Sequence, residues 1–514
     1  MQVGFQALAA SHALRLVQPL RVVSTIGTTR SQQHAPALDQ HQYTPGYRPD
    51  DTFAGHFTFG LKYEEVHLEF LARLFAATGP DPVAHWCRQE PTGKYARRAG
   101  FFYEWLTGER LDVPDLTSGA HVPALDAGHF LTRTHPLRDR RWRVDNNLPG
   151  TRAFCPLVRR TAGLQEALRF DPAAALATLD HEFGADILLK AAGWLTLKES
   201  RASFLIEHEA DKTDRIRRFA HVIAQHCGQI ADPLSDASLQ VLQRGILGDA
   251  ALRTGLRRSP VFVGQSGLHG DTIHYIAPHC DDVAGMLDGL AEFERATRGQ
   301  EALARAAAVA FGFVYVHPMS DGNGRLHRFL INDMLHRDGA VPEGVILPVS
   351  ASITNNRRFG HGYERTLEVF SRPFMRRYAG AHRFGPLVTH ADGVPSNFVF
   401  DDYADANWAW RYPDLTEHAV YTAELVAHTI RTEMAEEARI LLQFQTAQRR
   451  IKDVLEMPDP DAARIIRSVK DNRWQVSGKL LRDYPLLDDQ RLALRLVEAV
   501  QSAFEGREPV DIVG

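Results

Sequence analysis

The chain has 514 residues, enough for roughly two to four domains, with 44% hydrophobic and 24% charged residues, as in an ordinary globular protein. A formal net charge of −4 supplies no global basic field to hold nucleic acid, and no apolar run has the length of a membrane span. Four scattered cysteines, Cys87, Cys155, Cys227 and Cys280, lack zinc-site spacing and read as thiols of a reduced, cytoplasmic chain. Walker A, HExxH and GxSxG patterns are absent.

Residues 1–25 carry Arg15 and Arg21 and no acid, as transit peptides do. The apolar pairs Val22-Val23 and Ile26-Gly27 favour a helix followed by a strand instead. From Gln32 to Phe59, His, Gln, Pro, Asp and Gly read as loop. A helix is expected from Leu61, with Val66, Leu68, Leu71, Leu74 and Phe75 on one face. Thr92-Gly93 separates it from Tyr95–Leu106, whose Phe101, Phe102, Tyr103 and Trp105 read as core. Residues 1–150 are expected to form an accessory domain. Within it, the basic run Arg138–Arg143 reads as a solvated loop in preference to a nucleic-acid contact.

Residues 151–230 read as a helical segment. It contains Glu199–Glu209, an amphipathic helix with Leu205 and Ile206 inward and its acids outward. Further helices are expected at Leu234–Leu247 and Asp281–Arg298. Between them, Val261–Pro278 has two β-branched runs around a Gly-rich turn and predicts a hairpin. Gly264, Gly267 and Gly270 fit hairpin looseness better than phosphate binding.

The most informative stretch follows the Ala-rich helix expected over Glu301–Val316: His317-Pro318-Met319-Ser320-Asp321-Gly322-Asn323-Gly324-Arg325-Leu326-His327-Arg328. Pro318 stops the first helix, the two glycines permit unusual dihedrals, and Leu326, Leu330 and Met334 start a second helix that Gly339 ends. A Gly-rich approach to a helix N-terminus gathers unpaired N–H donors and binds anions. Arg325 and Arg328 share one face and suit phosphate oxygens. Asp321 suits Mg²⁺. His317 is placed to take a proton from a hydroxyl.

These residues resemble the signature of the Fic (Fido) family, H-P-F-x-D-G-N-G-R-x-x-R, with Met319 standing for the usual Phe. The resemblance covers about residues 195–385. It implies a mainly α fold, with a Fic-type helical core at 231–385 and a small β-hairpin flap. The N-terminal accessory domain and a C-terminal helical region at 386–514 would flank it. It also implies transfer of AMP from the co-substrate ATP, with Mg²⁺, to a Ser, Thr or Tyr hydroxyl of a protein target or of the chain itself. By resemblance His317 is the base and Asp321 the metal ligand. Gly322, Asn323 and Gly324 form the anion hole, Arg325 steadies the phosphates and Arg328 meets the γ-phosphate. Ser203 and Glu207 match the family's inhibitory pattern S/T-x-x-x-E-G/N, in which the Glu pairs with the second motif arginine. His208 departs from it. Tyr363 resembles a position near the adenine; core packing and nucleotide contact stand equal for it.

After the motif, Val345–Ile353 reads as a buried connector and Asn355–Arg377 as a helix broken near Pro373. Leu387–Asp405 reads as a linker or long loop, and Thr416–Phe504 as helical. Within the last stretch, Asp461–Tyr484 suggests a helix-turn-helix or degenerate winged helix, with a packing or dimerisation bundle the favoured reading. Rival functions are transfer of another nucleotide or phosphate-linked group, and a DNA-binding regulator whose core only senses. The oligomeric state is left open.

Overall fold

The computed structural model describes residues 1–35, 38–184, 187–207, 209, 213–248, 253–267 and 270–509. His208 and the expected hairpin tip, Leu268-His269, lie outside the described residues. The chain divides into two units. The first holds Met1–Asp171, Ser200–Ala340 and Val349–Leu425; the second holds Pro172–Glu199, Val341–Pro348 and Val426–Gly514.

In the first unit, β1 (Gln2–Val3), α1 (Gly4–Ser11), β2 (Val22–Ile26), β3 (Ser31–Ala35) and β4 (Leu38–Tyr43) open the chain. The strands form one sheet in the order β1-β2-β4-β3. The loop expected over Gln32–Phe59 therefore holds two strands and the start of α2 (Phe53–Tyr63). These strands are polar because backbone pairing makes them: Asp39–Tyr43 run parallel to Val22–Ile26. The single helix expected from Leu61 is also two. Glu64 turns away to accept the Phe5 N–H at 2.7 Å, and His67 Nδ1 accepts the Phe70 N–H at 3.1 Å to start α3 (Leu68–Thr78). With α4 (Asp81–Gln89) and α5 (Lys94–Thr107), α3 buries Leu71, Leu74, Phe75, Phe101, Phe102 and Tyr103 in one core, as the aromatic cluster predicts. Short strands β5 (Val122–Pro123), β6 (Leu137–Asp139) and β7 (Val144–Asn146) and the helix α6 (Ala162–Ala167) follow. The basic run, which begins in β6 and ends just before β7, gives Arg141 to Glu104 at 2.9 Å.

Helix α7 (Pro172–Phe183) belongs to the second unit, and α8 (Ile187–Ile206) begins there and ends in the first. The first unit continues with α9 (Thr213–His226), α10 (Asp236–Leu247), the hairpin β8 (Phe262–Gly267) and β9 (Gly270–Ile276), α11 (Cys280–Ala296), α12 (Ala302–Val316) and α13 (Asn323–Arg337). Then come α14 (Val349–Asn355) and α15 (Arg357–Tyr378). No break occurs at Pro373. Phe359, Phe370, Phe374 and Tyr378 are buried along α15, and that apolar face outweighs one missing N–H.

The linker expected after Leu387 is instead a hairpin, β10 (His382–Thr389) with β11 (Pro395–Phe400). Its turn uses Asp392-Gly393: Asp392 Oδ1 accepts the Val394 N–H at 3.1 Å, and Gly393 takes φ +74°. Helices α16 (Tyr403–Arg411) and α17 (Thr416–His428) follow, and one wide π-turn, Thr429–Met434, leads into α18 (Ala435–Val454).

In the second unit α18, α19 (Asp459–Asp471), α20 (Gly478–Asp483) and α21 (Gln490–Glu505) enclose a core that includes Ile451, Ile465, Ile466, Leu480 and Val500. Ser477 Oγ caps α20 through the Leu480 N–H at 3.2 Å. Among the described residues, no helix is long and apolar enough to cross a membrane.

Candidate active site

Alanine content sets the position of the site. Every residue from Leu303 to Phe313 in α12 is buried, and small side chains let neighbouring helices approach closely. The helix ends at His317, which adopts the left-handed conformation at φ +48°. For a residue with a Cβ this costs about 1–2 kcal/mol. Surrounding contacts hold it there. The His317 carbonyl accepts from Arg257 Nε at 2.7 Å, and the Pro318 carbonyl accepts the Arg257 N–H at 2.9 Å.

The loop closes on Met319, which is fully buried and fills the core-anchor position. The Asn323 side chain staples it from both sides. Its Oδ1 accepts the Met319 N–H at 3.1 Å and its Nδ2 donates to the Met319 carbonyl at 2.7 Å. Gly322, at φ +94°, turns the chain into α13. The Asp321 carbonyl is held by Gln243 Nε2 at 2.9 Å, and Gln243 Oε1 accepts the Gly255 N–H at 2.9 Å.

The two motif arginines are almost fully buried, and each meets a carboxylate. Arg328 donates through Nε to Ser203 Oγ at 2.9 Å, and through Nη2 to the Ser203 carbonyl at 3.0 Å and Glu207 Oε1 at 2.8 Å. Arg325 donates through Nη1 to Glu209 Oε2 and through Nη2 to Asp321 Oδ1, both at 2.9 Å. The Arg325 guanidinium also lies over the Phe204 ring, 4.8 Å from its centroid. A Cβ on Gly324 would stand 2.2 Å from Glu207 Oε1. A carboxylate thus already rests on the glycine of the amide cradle.

Electrostatics follow from burial. The His317 imidazole is pushed down to about 4 by desolvation and then by the Arg257 cation, with the Val314 carbonyl and Glu207 opposing. It is therefore uncharged at neutral pH, and its Nδ1 is buried without a hydrogen-bond partner of ordinary geometry among the described residues. Burial raises Glu207, but Arg328, Arg325 and His317 outweigh it and hold its carboxyl below the ordinary value. Tyr363 is packed 5.8 Å from the His327 ring and 6.4 Å from those of Phe311 and Tyr421. Burial raises its phenol, with the Arg328 charge opposing.

The residues singled out from sequence come together here: His317, Asp321, Gly322, Asn323, Gly324, Arg325, Arg328, Tyr363, Ser203 and Glu207. The expected phase of α8 was wrong by one position. Leu205 is 49% exposed, while Ser203 and Phe204 are fully buried. Acids and apolar residues mix along this turn, so amphipathicity alone did not fix which side packs. Sequence reading missed Glu209, Gln243 and Arg257. Gln243 left one trace, a polar residue among Leu239, Leu242 and Ile246 on the buried face of α10; Arg257 left none.

The donor set fits a nucleotide and a hard cation. The Glu207 carboxylate already lies against Gly324 and Arg328, and the Asp321 side chain is 57% exposed.

Residues 233–335 match the model of the Fic/DOC family. The chain is 32% identical over 149 residues to the protein adenylyltransferase fic-1 of Caenorhabditis briggsae, covering 27% of this chain and 25% of that protein. It is 30% identical over 176 residues to the protein adenylyltransferase fic-1 of Caenorhabditis elegans, covering 32% and 31%. The match therefore spans about a quarter to a third of these relatives. Among solved structures it is similar to a Fic family protein from Desulfovibrio desulfuricans G20 (16% identity, TM-score 0.38, 57% of this chain and 80% of that one). A Fic domain containing signalling protein from Bacteroides thetaiotaomicron VPI-5482 is also similar (17% identity, TM-score 0.30, 54% and 94%).

Proposed function

We propose, on the premise that this chain carries a Fic/DOC-family domain, that it transfers AMP from ATP to a Ser, Thr or Tyr hydroxyl of a protein target. The chain itself is one candidate acceptor, and Glu207 holds the site idle. The observation that carries this reading is the Glu207 carboxylate, seated on Gly324 and bound to Arg328 beside an uncharged imidazole. It is an anion in an anion's place.

In the proposed reaction the target hydroxyl gives its proton to His317. Its oxygen bonds to the α-phosphorus, the bond to pyrophosphate breaks, and pyrophosphate leaves with the electron pair. The amides at Gly322–Gly324 and the start of α13 hold the phosphates, Arg325 steadies them and Arg328 takes the γ-phosphate. Asp321 would hold Mg²⁺, which when bound neutralises phosphate charge. Tyr363, which packs beside the His327 ring and interacts with Arg328, would contact the nucleotide near its adenine. Glu207 and the γ-phosphate are both anionic and compete for one guanidinium, so the inhibited and the nucleotide-bound states exclude each other. Cys87, Cys155, Cys227 and Cys280 are not in disulfides, which fits the reducing, cytoplasmic setting proposed for the chain.

The test uses ATP labelled at the α-phosphate, with the protein alone and with lysate. Wild type should label weakly. Glu207→Gly should raise labelling on the order of tenfold or more, as loss of a competing buried anion allows, and His317→Ala should abolish it. No gain from Glu207→Gly would remove the inhibitory role. Transfer only from labelled UTP or GTP would change the cargo, and a DNA gel shift without any transfer would favour a regulator.

A further inference from the structure

We propose that Arg257 is a positioning residue for His317, fixing the left-handed turn of the base and tying that turn to both roots of the β8–β9 hairpin. The proposal rests on the reading of His317 as the base. Arg257 is 1% exposed, in the segment between α10 and β8. Its Nε donates to the His317 carbonyl at 2.7 Å. Its Nη1 donates to the Ser259 carbonyl at 3.1 Å, and its Nη2 to the carbonyls of Pro278 at 2.6 Å and Val316 at 3.5 Å. Its own N–H meets the Pro318 carbonyl at 2.9 Å, and Leu256 bridges Met319. Ser259 precedes β8 and Pro278 follows β9. One guanidinium therefore spans the C-terminus of α12 and both ends of the hairpin.

Buried cations are ordinarily matched by carboxylates. The hydrogen bonds of Arg257 all go to carbonyls. Two of these belong to the last turn of α12, where the helix dipole favours a cation. Asp392, an acid whose charge reaches Arg257, is engaged elsewhere, accepting from the Arg258 N–H at 2.7 Å and Ser259 Oγ at 2.8 Å. Tyr275, Tyr403 and Cys280 also face Arg257. The charged groups facing His317 are Arg257 and Glu207, and they act in opposite directions on its protonation. Arg257 thus does more than fill space. It sets the φ of the base, and its charge disfavours the imidazolium that could not accept a proton. Lysine has a charge but no fork, and methionine has neither.

Arg257→Met and Arg257→Lys are made in the Glu207→Gly background. Three readouts are taken: ATP affinity, steady-state AMP transfer, and the pH dependence of His317 carbethoxylation followed by peptide mass spectrometry. In Arg257→Met the imidazole should titrate about one pH unit higher. Its kcat should fall on the order of a hundredfold, as for a misplaced base, with KM for ATP held within about twofold. Arg257→Lys should keep the titration in place and recover only part of kcat. The proposal is overturned if His317 titrates unchanged in Arg257→Met, or if ATP affinity is lost in step with kcat. Should Arg257→Met fail to fold, Arg257→Lys decides: kcat must fall while titration and ATP affinity hold. If Glu207→Gly transfers no label at all, carbethoxylation still reads the Arg257–His317 coupling, so that failure stays separate from this one.

Discussion

At the scale of single residues, two carboxylates meet the two motif arginines. Glu207 takes Arg328 at 2.8 Å and Glu209 takes Arg325 at 2.9 Å. Arg325 also holds Asp321, so the expected metal ligand is bound to a cation while the acids are in place. Removing Glu209 should weaken this closure without touching the base. We expect Glu209→Ala to tighten ATP binding about three- to tenfold, the scale of one partly exposed ion pair. Isothermal titration measures this, and an unchanged affinity would exclude Glu209 from the closure. The residues of the loop were legible because they are contiguous: five functional side chains (His317, Asp321, Asn323, Arg325 and Arg328) and two glycines fall within His317–Arg328, and short-range stereochemistry gathers them. Glu209 was legible only as an exposed helix acid, since its partner lies 116 residues away. The Asn323 side chain has a structural task that the sequence pattern does not display. Its amide closes the loop on Met319, which leaves only its backbone N–H for an anion.

At the scale of elements, the flap was readable and its support was not. Two β-branched runs around glycines predict β8 and β9 from local pattern alone. Nothing local predicts that Phe262 of β8 packs 4.7 Å from Phe398 of β11, or that Asp392 in the second turn bonds the root of the first hairpin. Phe398 is 4% exposed and its ring also lies 5.9 Å from Phe384. Phe398→Ala should cost about 3 kcal/mol of local packing and speed amide exchange over Phe262–Gly267. Exchange that stays as slow as in wild type would show that the flap is ordered without the second hairpin. By composition Leu387–Asp405 reads as a linker, because Pro, Gly, Asn and Asp recur along it. In a hairpin such residues mark the turn and the strand ends, and composition does not distinguish the two.

At the scale of the whole molecule, the chain leaves the first unit and returns to it twice, at 172–199 and 341–348. Each unit has its own apolar core, so calorimetry should resolve two unfolding transitions. Ile466 is fully buried in the second core. Ile466→Asp would bury an unpaired carboxylate, a cost of several kcal/mol, and should lower one transition and leave the other in place. A single transition that moves as a whole would show one cooperative unit instead. The sequence by itself determined the mainly helical class, the helix–loop–helix at His317–Arg328 and the hairpin before it, because turn chemistry and apolar periodicity act within a few residues. Only the tertiary structure decided that α8 turns Ser203 toward Arg328, that Glu207 lies on Gly324, and that Arg257 holds His317. Those contacts join segments far apart in the chain. Burial and complementary charge select them only when the whole core closes.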